Sequence, residues 1–71
     1  MRTISYDLLW KTLIDHHINR TELKEKAELS KGTITRMGKN ESVTVEVLVK
    51  ICNALDCDVY DVLEIREHGG L

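Results

Sequence analysis

Apolar side chains recur along this chain at intervals of three and four, the period of a helix face and not of a strand. Tyr6, Leu9, Trp10, Leu13 and Ile14, with His17 at the end, form one such stripe, and Val45, Leu48, Val49, Cys52 and Leu55 form another. Five segments open with one grammar: an apolar residue, a small polar one, then an apolar residue five positions after the first. The pairs are Ile4/Leu9 around Ser5, Ile18/Leu23 around Asn19, Leu29/Ile34 around Ser30, Val43/Leu48 around Thr44 and Cys57/Val62 around Asp58. The polar oxygen accepts from an unpaired N–H of the first helical turn, and the apolar pair closes as a hydrophobic staple. Asn19 with Glu22 adds a capping box. The pattern predicts an all-α arrangement of five helices, at 6–17, 20–27, 31–38, 45–55 and 59–63. Beyond them, Val62, Leu63 and Ile65, with Glu64 and Arg66 alternating, leave room for a short extended segment paired with Thr3-Ile4-Ser5. Gly69-Gly70-Leu71 is expected to fray.

The second and third helices are separated only by Glu28 and Leu29, because Ser30 already caps the third. Helices joined so tightly cross steeply, as in a helix-turn-helix unit. Leu23, Ala27, Leu29, Ile34 and Met37 are its expected inner contacts, with Ala27 small because the two axes approach closely there. The outer face of the third helix then displays Lys31, Gly32, Thr33, Thr35 and Arg36. Long basic and small hydroxyl side chains are what a major groove admits.

Composition narrows the choice. Seventy-one residues, 42% hydrophobic and 31% charged, make one compact domain, 1–71, with a core expected over 6–64, the helix-turn-helix over 20–38 and a tail over 65–71. A nucleotide-binding sheet or a β/α barrel needs far more chain. The net charge of −2 counts against a nucleic-acid partner until its distribution is seen. Residues 19–40 carry six bases (Arg20, Lys24, Lys26, Lys31, Arg36, Lys39) against three acids (Glu22, Glu25, Glu28), whereas residues 41–71 carry two bases against seven acids. Residues 30–40 hold no acid at all, which fits either a solvated helix face or a phosphate-facing surface.

Other chemistry is sparse. Cys52 and Cys57 read as reduced thiols, the first a small hydrophobe on an apolar stripe and the second a staple residue. Neither a signal peptide nor a membrane span is visible, so a cytoplasmic protein with no membrane partner is expected. Tyr6 and Trp10 read as packing residues. His16-His17 suit a solvated helix end better than a metal site. The acids Asp56, Asp58, Asp61 and Glu64 lack the ligand order of a calcium loop. With no phosphate loop, nucleophile elbow or zinc spacing, the chain is expected not to be an enzyme, and no cofactor, metal or small-molecule ligand is expected.

Residues 18–40, Ile-Asn-Arg-Thr-Glu-Leu-Lys-Glu-Lys-Ala-Glu-Leu-Ser-Lys-Gly-Thr-Ile-Thr-Arg-Met-Gly-Lys-Asn, resemble the helix-turn-helix of phage repressor and Cro-like regulators. Val43 to Leu55, followed by Asp58-Val59-Tyr60-Asp61-Val62-Leu63, is similar to that family's fourth and fifth helices. The resemblance implies a five-helix repressor-like fold that binds double-stranded DNA as a homodimer on an inverted-repeat operator. It implies base reading by Lys31, Gly32 and Arg36. Arg20, Thr33, Thr35, Lys39 and Asn40 would meet phosphate or the groove wall, Arg20 from a helix N-terminus whose dipole favours an anion. Three positions depart from the family. Glu28 stands where a positive φ usually calls for Gly, Gly32 leaves a base-reading position without a side chain, and Gly38 replaces an acid whose basic partner is also missing, near Leu13. The alternative is a protein-interaction module that keeps the fold without binding DNA, in line with the acidic net charge and Gly32.

Overall fold

The computed structural model describes residues 1–67. In chain order these form β1 (Arg2–Ser5), α1 (Asp7–Asp15), α2 (Arg20–Lys26), α3 (Lys31–Gly38), α4 (Val45–Leu55) and β2 (Glu64–Glu67). The expected all-α, five-helix arrangement is thus corrected to four α-helices and a small sheet. The segment expected as a fifth helix, 59–63, is a single 3-10 turn at Val59–Asp61. Asp58 and Asp61 cap each other within that turn, the Asp58 side chain accepting from the Tyr60 N–H and the Asp61 carboxylate from the Asp58 N–H. β2 follows from Glu64. β1 and β2 pair antiparallel with Arg2 opposite Glu67, Thr3 opposite Arg66, Ile4 opposite Ile65 and Ser5 opposite Glu64. The extended pairing of the two ends is therefore present, and residues 65–67 of the expected tail belong to a strand. The expected fraying at Gly69-Gly70-Leu71 lies outside the described residues.

Exposed ion pairs decorate this ribbon, Arg2 with Glu67 at 3.4 Å and Arg66 with Asp7 at 2.8 Å and with Glu64. Such solvated pairs stabilise little.

Four of the five expected caps act as such: Asn19, Ser30, Thr44 and Asp58 accept from the N–H groups of Glu22, Thr33, Val47 and Tyr60. The Asn19–Glu22 box closes in both directions, at 2.8 and 3.0 Å. Ser5 is the exception. It ends β1, buried, and leaves Tyr6 as the N-cap of α1, although its Oγ still accepts from the Asp7 N–H at 3.2 Å.

The four α-helices end alike. His17, Glu28, Asn40 and Asp56 take left-handed φ values of 59°, 55°, 57° and 52°. The next N–H in each case reaches back over the last turn, from Ile18 to Leu13, Leu29 to Lys24, Glu41 to Arg36 and Cys57 to Cys52, at 2.8 to 3.1 Å. This is the Schellman closure, which glycine usually serves. It stops α1 at Asp15, short of the expected residue 17. Ile14, 72% exposed, and His17, also exposed, do not join the core-facing stripe.

Tyr6, Leu9, Leu13, Leu23, Met37, Ile51, Leu55 and Val62 are buried together, with Ala27 and Leu29 beneath the α2–α3 turn. Ile34 packs against them half-buried. No helix among the described residues is long and apolar enough to cross a membrane.

Candidate functional site

Burial divides α3 cleanly. Met37 is fully buried and Thr33 and Ile34 are half-buried, whereas Lys31, Gly32, Thr35, Arg36 and the C-cap Lys39 are exposed. At 100° per residue these five fall on the side of the helix opposite Met37. Thr33 turns away from them, and its hydroxyl pairs with Ser30 Oγ at 2.9 Å. Thr35 Oγ1 donates to the Lys31 carbonyl at 3.1 Å, which fixes its rotamer along the helix surface. A Cβ added at Gly32 would meet only Ser30 Oγ, at 3.9 Å. Packing within the chain therefore does not require glycine at this first-turn position.

A cleft of about 320 Å³ separates α3 from α2, lined by Arg20, Thr21, Lys24, Lys31, Ile34 and Thr35. Three cations and two hydroxyls converge on it, and no carboxylate lines it. Of the residues expected from sequence, Arg20, Lys31 and Thr35 meet here. Arg36, Lys39 and Asn40 do not line it; they belong to the far end of α3 and its exit loop. Thr21 and Lys24 were missed. The signal for both was available in their spacing, since Lys24 stands one helical turn beyond Arg20 and three residues after Thr21.

Arg20 is held by its surroundings. Its guanidinium lies 3.8 Å from the centroid of the Trp10 ring, a cation–π stack. On α3, a Cβ at Gly38 would stand 3.2 Å from Arg20 Nη1. Among the described residues Arg20 makes no ion pair. The acid–base pair that the resemblance would place near Gly38 and Leu13 is replaced by a buried Leu13 and a stacked cation. The start of α2 is closed by its own capping box, in which the Glu22 N–H donates to Asn19 Oδ1 at 2.8 Å.

The loop leaving α3 is tied to the head of α1. Asn40 is exposed, but its Oδ1 accepts from the Tyr6 N–H at 3.2 Å. Burial holds the Tyr6 phenol above the usual tyrosine range, opposed in part by a backbone hydrogen bond from Val43.

Elsewhere, Val45, Leu48, Val49, Cys52, Asn53 and Val59 line an apolar groove of about 330 Å³ on α4. Cys52 and Cys57 are half-buried rather than buried, and both thiols are pushed up, Cys57 to about 11, chiefly by burial. They carry little thiolate near neutral pH.

A family model for the Cro/C1-type HTH DNA-binding domain matches residues 8–67. The crystal structure of the transcriptional regulator VanUg, form II, is similar to this chain with a TM-score of 0.90 and 42% sequence identity, over 94% of this chain and 89% of that one. No curated protein matches.

Proposed function

The chain belongs to the Cro/C1-type helix-turn-helix DNA-binding family, and from that premise we propose that it regulates transcription by binding specific double-stranded DNA. In this reading α3 enters the major groove, where Lys31 and Arg36 read base edges. An arginine bidentate on guanine O6 and N7 gives about 1–3 kcal/mol of discrimination. Arg20, Thr35, Lys39 and Asn40 meet phosphate, joined by Thr21 and Lys24 across the cleft, whereas Thr33, turned away from that face, braces Ser30 and not the groove wall. The observation that carries the reading is Gly32: a first-turn position of α3 without a side chain, on an acid-free cationic face, that intramolecular packing leaves unexplained. Close approach of that backbone to base edges accounts for it.

A unit of this size makes limited contact alone. The proposed complex is a homodimer on an inverted repeat with half-site centres about 34 Å apart, one turn of the duplex. Selection of bound duplexes from a random pool tests this. Enrichment of an inverted repeat with about 10 base pairs between half-site centres supports both specificity and dimerisation. A single enriched half-site supports DNA binding without the dimer, and no enrichment argues against the reading. That last result would favour a protein-interaction module, for which the exposed Val45, Val49 and Tyr60 beside an acidic C-terminal third are the supporting feature.

A further inference from the structure

Three helices meet at one guanidinium: Trp10 from α1 beneath it, Arg20 itself at the start of α2, and Gly38 at the end of α3 beside it. Arg20 is exposed, and the chemistry of its two neighbours is selective. A guanidinium has its five N–H donors in its plane, so a carboxylate partner would take donors and cancel charge. An aromatic face takes none and leaves the positive charge intact. No acid pairs with Arg20 among the described residues, and Gly38 offers neither charge nor bulk. The cation is thus restrained while its donor edge stays available, at the mouth of a cleft shared with Lys24 and Lys31.

We propose that Trp10 and Gly38 are positioning residues for DNA binding, acting through Arg20 by fixing its guanidinium in the orientation that meets a phosphate. This rests on the DNA-binding reading above. A long arginine side chain otherwise loses rotamer freedom on binding, and a side chain already stacked loses less. A β-carbon at position 38 would stand 3.2 Å from Nη1, tighter than such contacts usually run, so the guanidinium would have to give by a few tenths of an ångström. An alanine displaces the guanidinium and leaves the backbone in place.

The test is a double-mutant cycle on the full chain, with affinity for a generic duplex of about 20 base pairs read by fluorescence anisotropy across a salt series and folding checked by urea. Arg20→Ala should weaken binding and lower the salt slope by about 1, the loss of one phosphate contact. Trp10→Leu should weaken binding about 3- to 10-fold in the parent, and less than about 2-fold when Arg20 is already alanine. Gly38→Ala should behave likewise on DNA while unfolding at an equal or higher urea concentration, because alanine favours the helix. Opposite signs for stability and affinity are not what a merely structural glycine gives. If Trp10→Leu does not fold, Trp10→Phe, which keeps a weaker aromatic face, takes its place with a smaller loss. Parent-like binding by the Trp10 and Gly38 variants, or equal losses with and without Arg20, overturns the clamp alone. A parent that does not bind duplex at low salt overturns the DNA-binding reading and the clamp with it.

Discussion

The hydroxyl of Tyr6 donates to the carbonyl oxygen of Glu41 at 2.7 Å, joining the head of α1 to the loop that leaves α3. With the Tyr6 N–H on Asn40 Oδ1, one buried residue makes two bonds that fix where that loop runs. Tyr6→Phe keeps the ring and loses one bond. It should lower unfolding stability by about 0.5–1.5 kcal/mol, read from urea midpoints at constant slope. Coincident midpoints would show that the bond contributes nothing.

Glu28 supplies a second expectation. It holds φ 55° without being glycine, in a conformation that costs a side-chain-bearing residue about 1–2 kcal/mol. Glu28→Gly should therefore stabilise the chain by about 1 kcal/mol, a rise in Tm of about 4–8 °C for a protein of this size. Asn40→Gly relieves less strain, because asparagine tolerates the left-handed region, and also removes the acceptor for Tyr6, so its gain should be smaller or absent. Equal gains at both positions would contradict the structural role given to Asn40.

Alkaline pH should loosen the fold. Tyr6, Cys52 and Cys57 all titrate higher in the folded chain than their ordinary values of 10.0, 9.0 and 9.0, with Cys57 near 11. Above pH 9 the unfolded chain therefore holds fewer protons than the folded one, and stability falls as pH rises. It is fully present below about pH 9 and declines between 9 and 11, a window set by the Cys57 shift. Urea midpoints measured from pH 7 to 11 check this, and Cys57→Ser combined with Tyr6→Phe should flatten the decline. A flat parent profile would contradict it.

Arg36 and Arg20 should fail differently on DNA. Arg36→Ala should relax preference at one base position by about 1–3 kcal/mol, whereas Arg20→Ala should weaken all sequences alike. Competition binding against single-base operator variants distinguishes the two patterns.

Local chemistry made most of this fold legible. Asn19, Ser30 and Thr44 cap helices because a short oxygen side chain just ahead of a helical segment satisfies the N–H groups of its first turn. Cooperation between distant segments was harder to read. The 59–63 segment has helical spacing, yet it forms one 3-10 turn, and the strand that follows pairs Ile65 with Ile4 at the far end of the chain. The end of α1 was misplaced because nothing in His17 itself announces a left-handed φ. At the site, the cationic face of α3 followed from periodicity. The Trp10–Arg20 stack did not, since it joins two helices whose relative placement depends on the core.

Amide chemical shifts recorded on adding duplex at low salt test most directly whether the outer face of α3 meets DNA. The account predicts saturable shifts concentrated at Arg20, Thr21 and Lys24 and from Lys31 through Lys39, fading as salt rises. Shifts confined to the groove lined by Val45, Val49 and Val59, with α3 unmoved, would contradict it, as would no saturable shift at all.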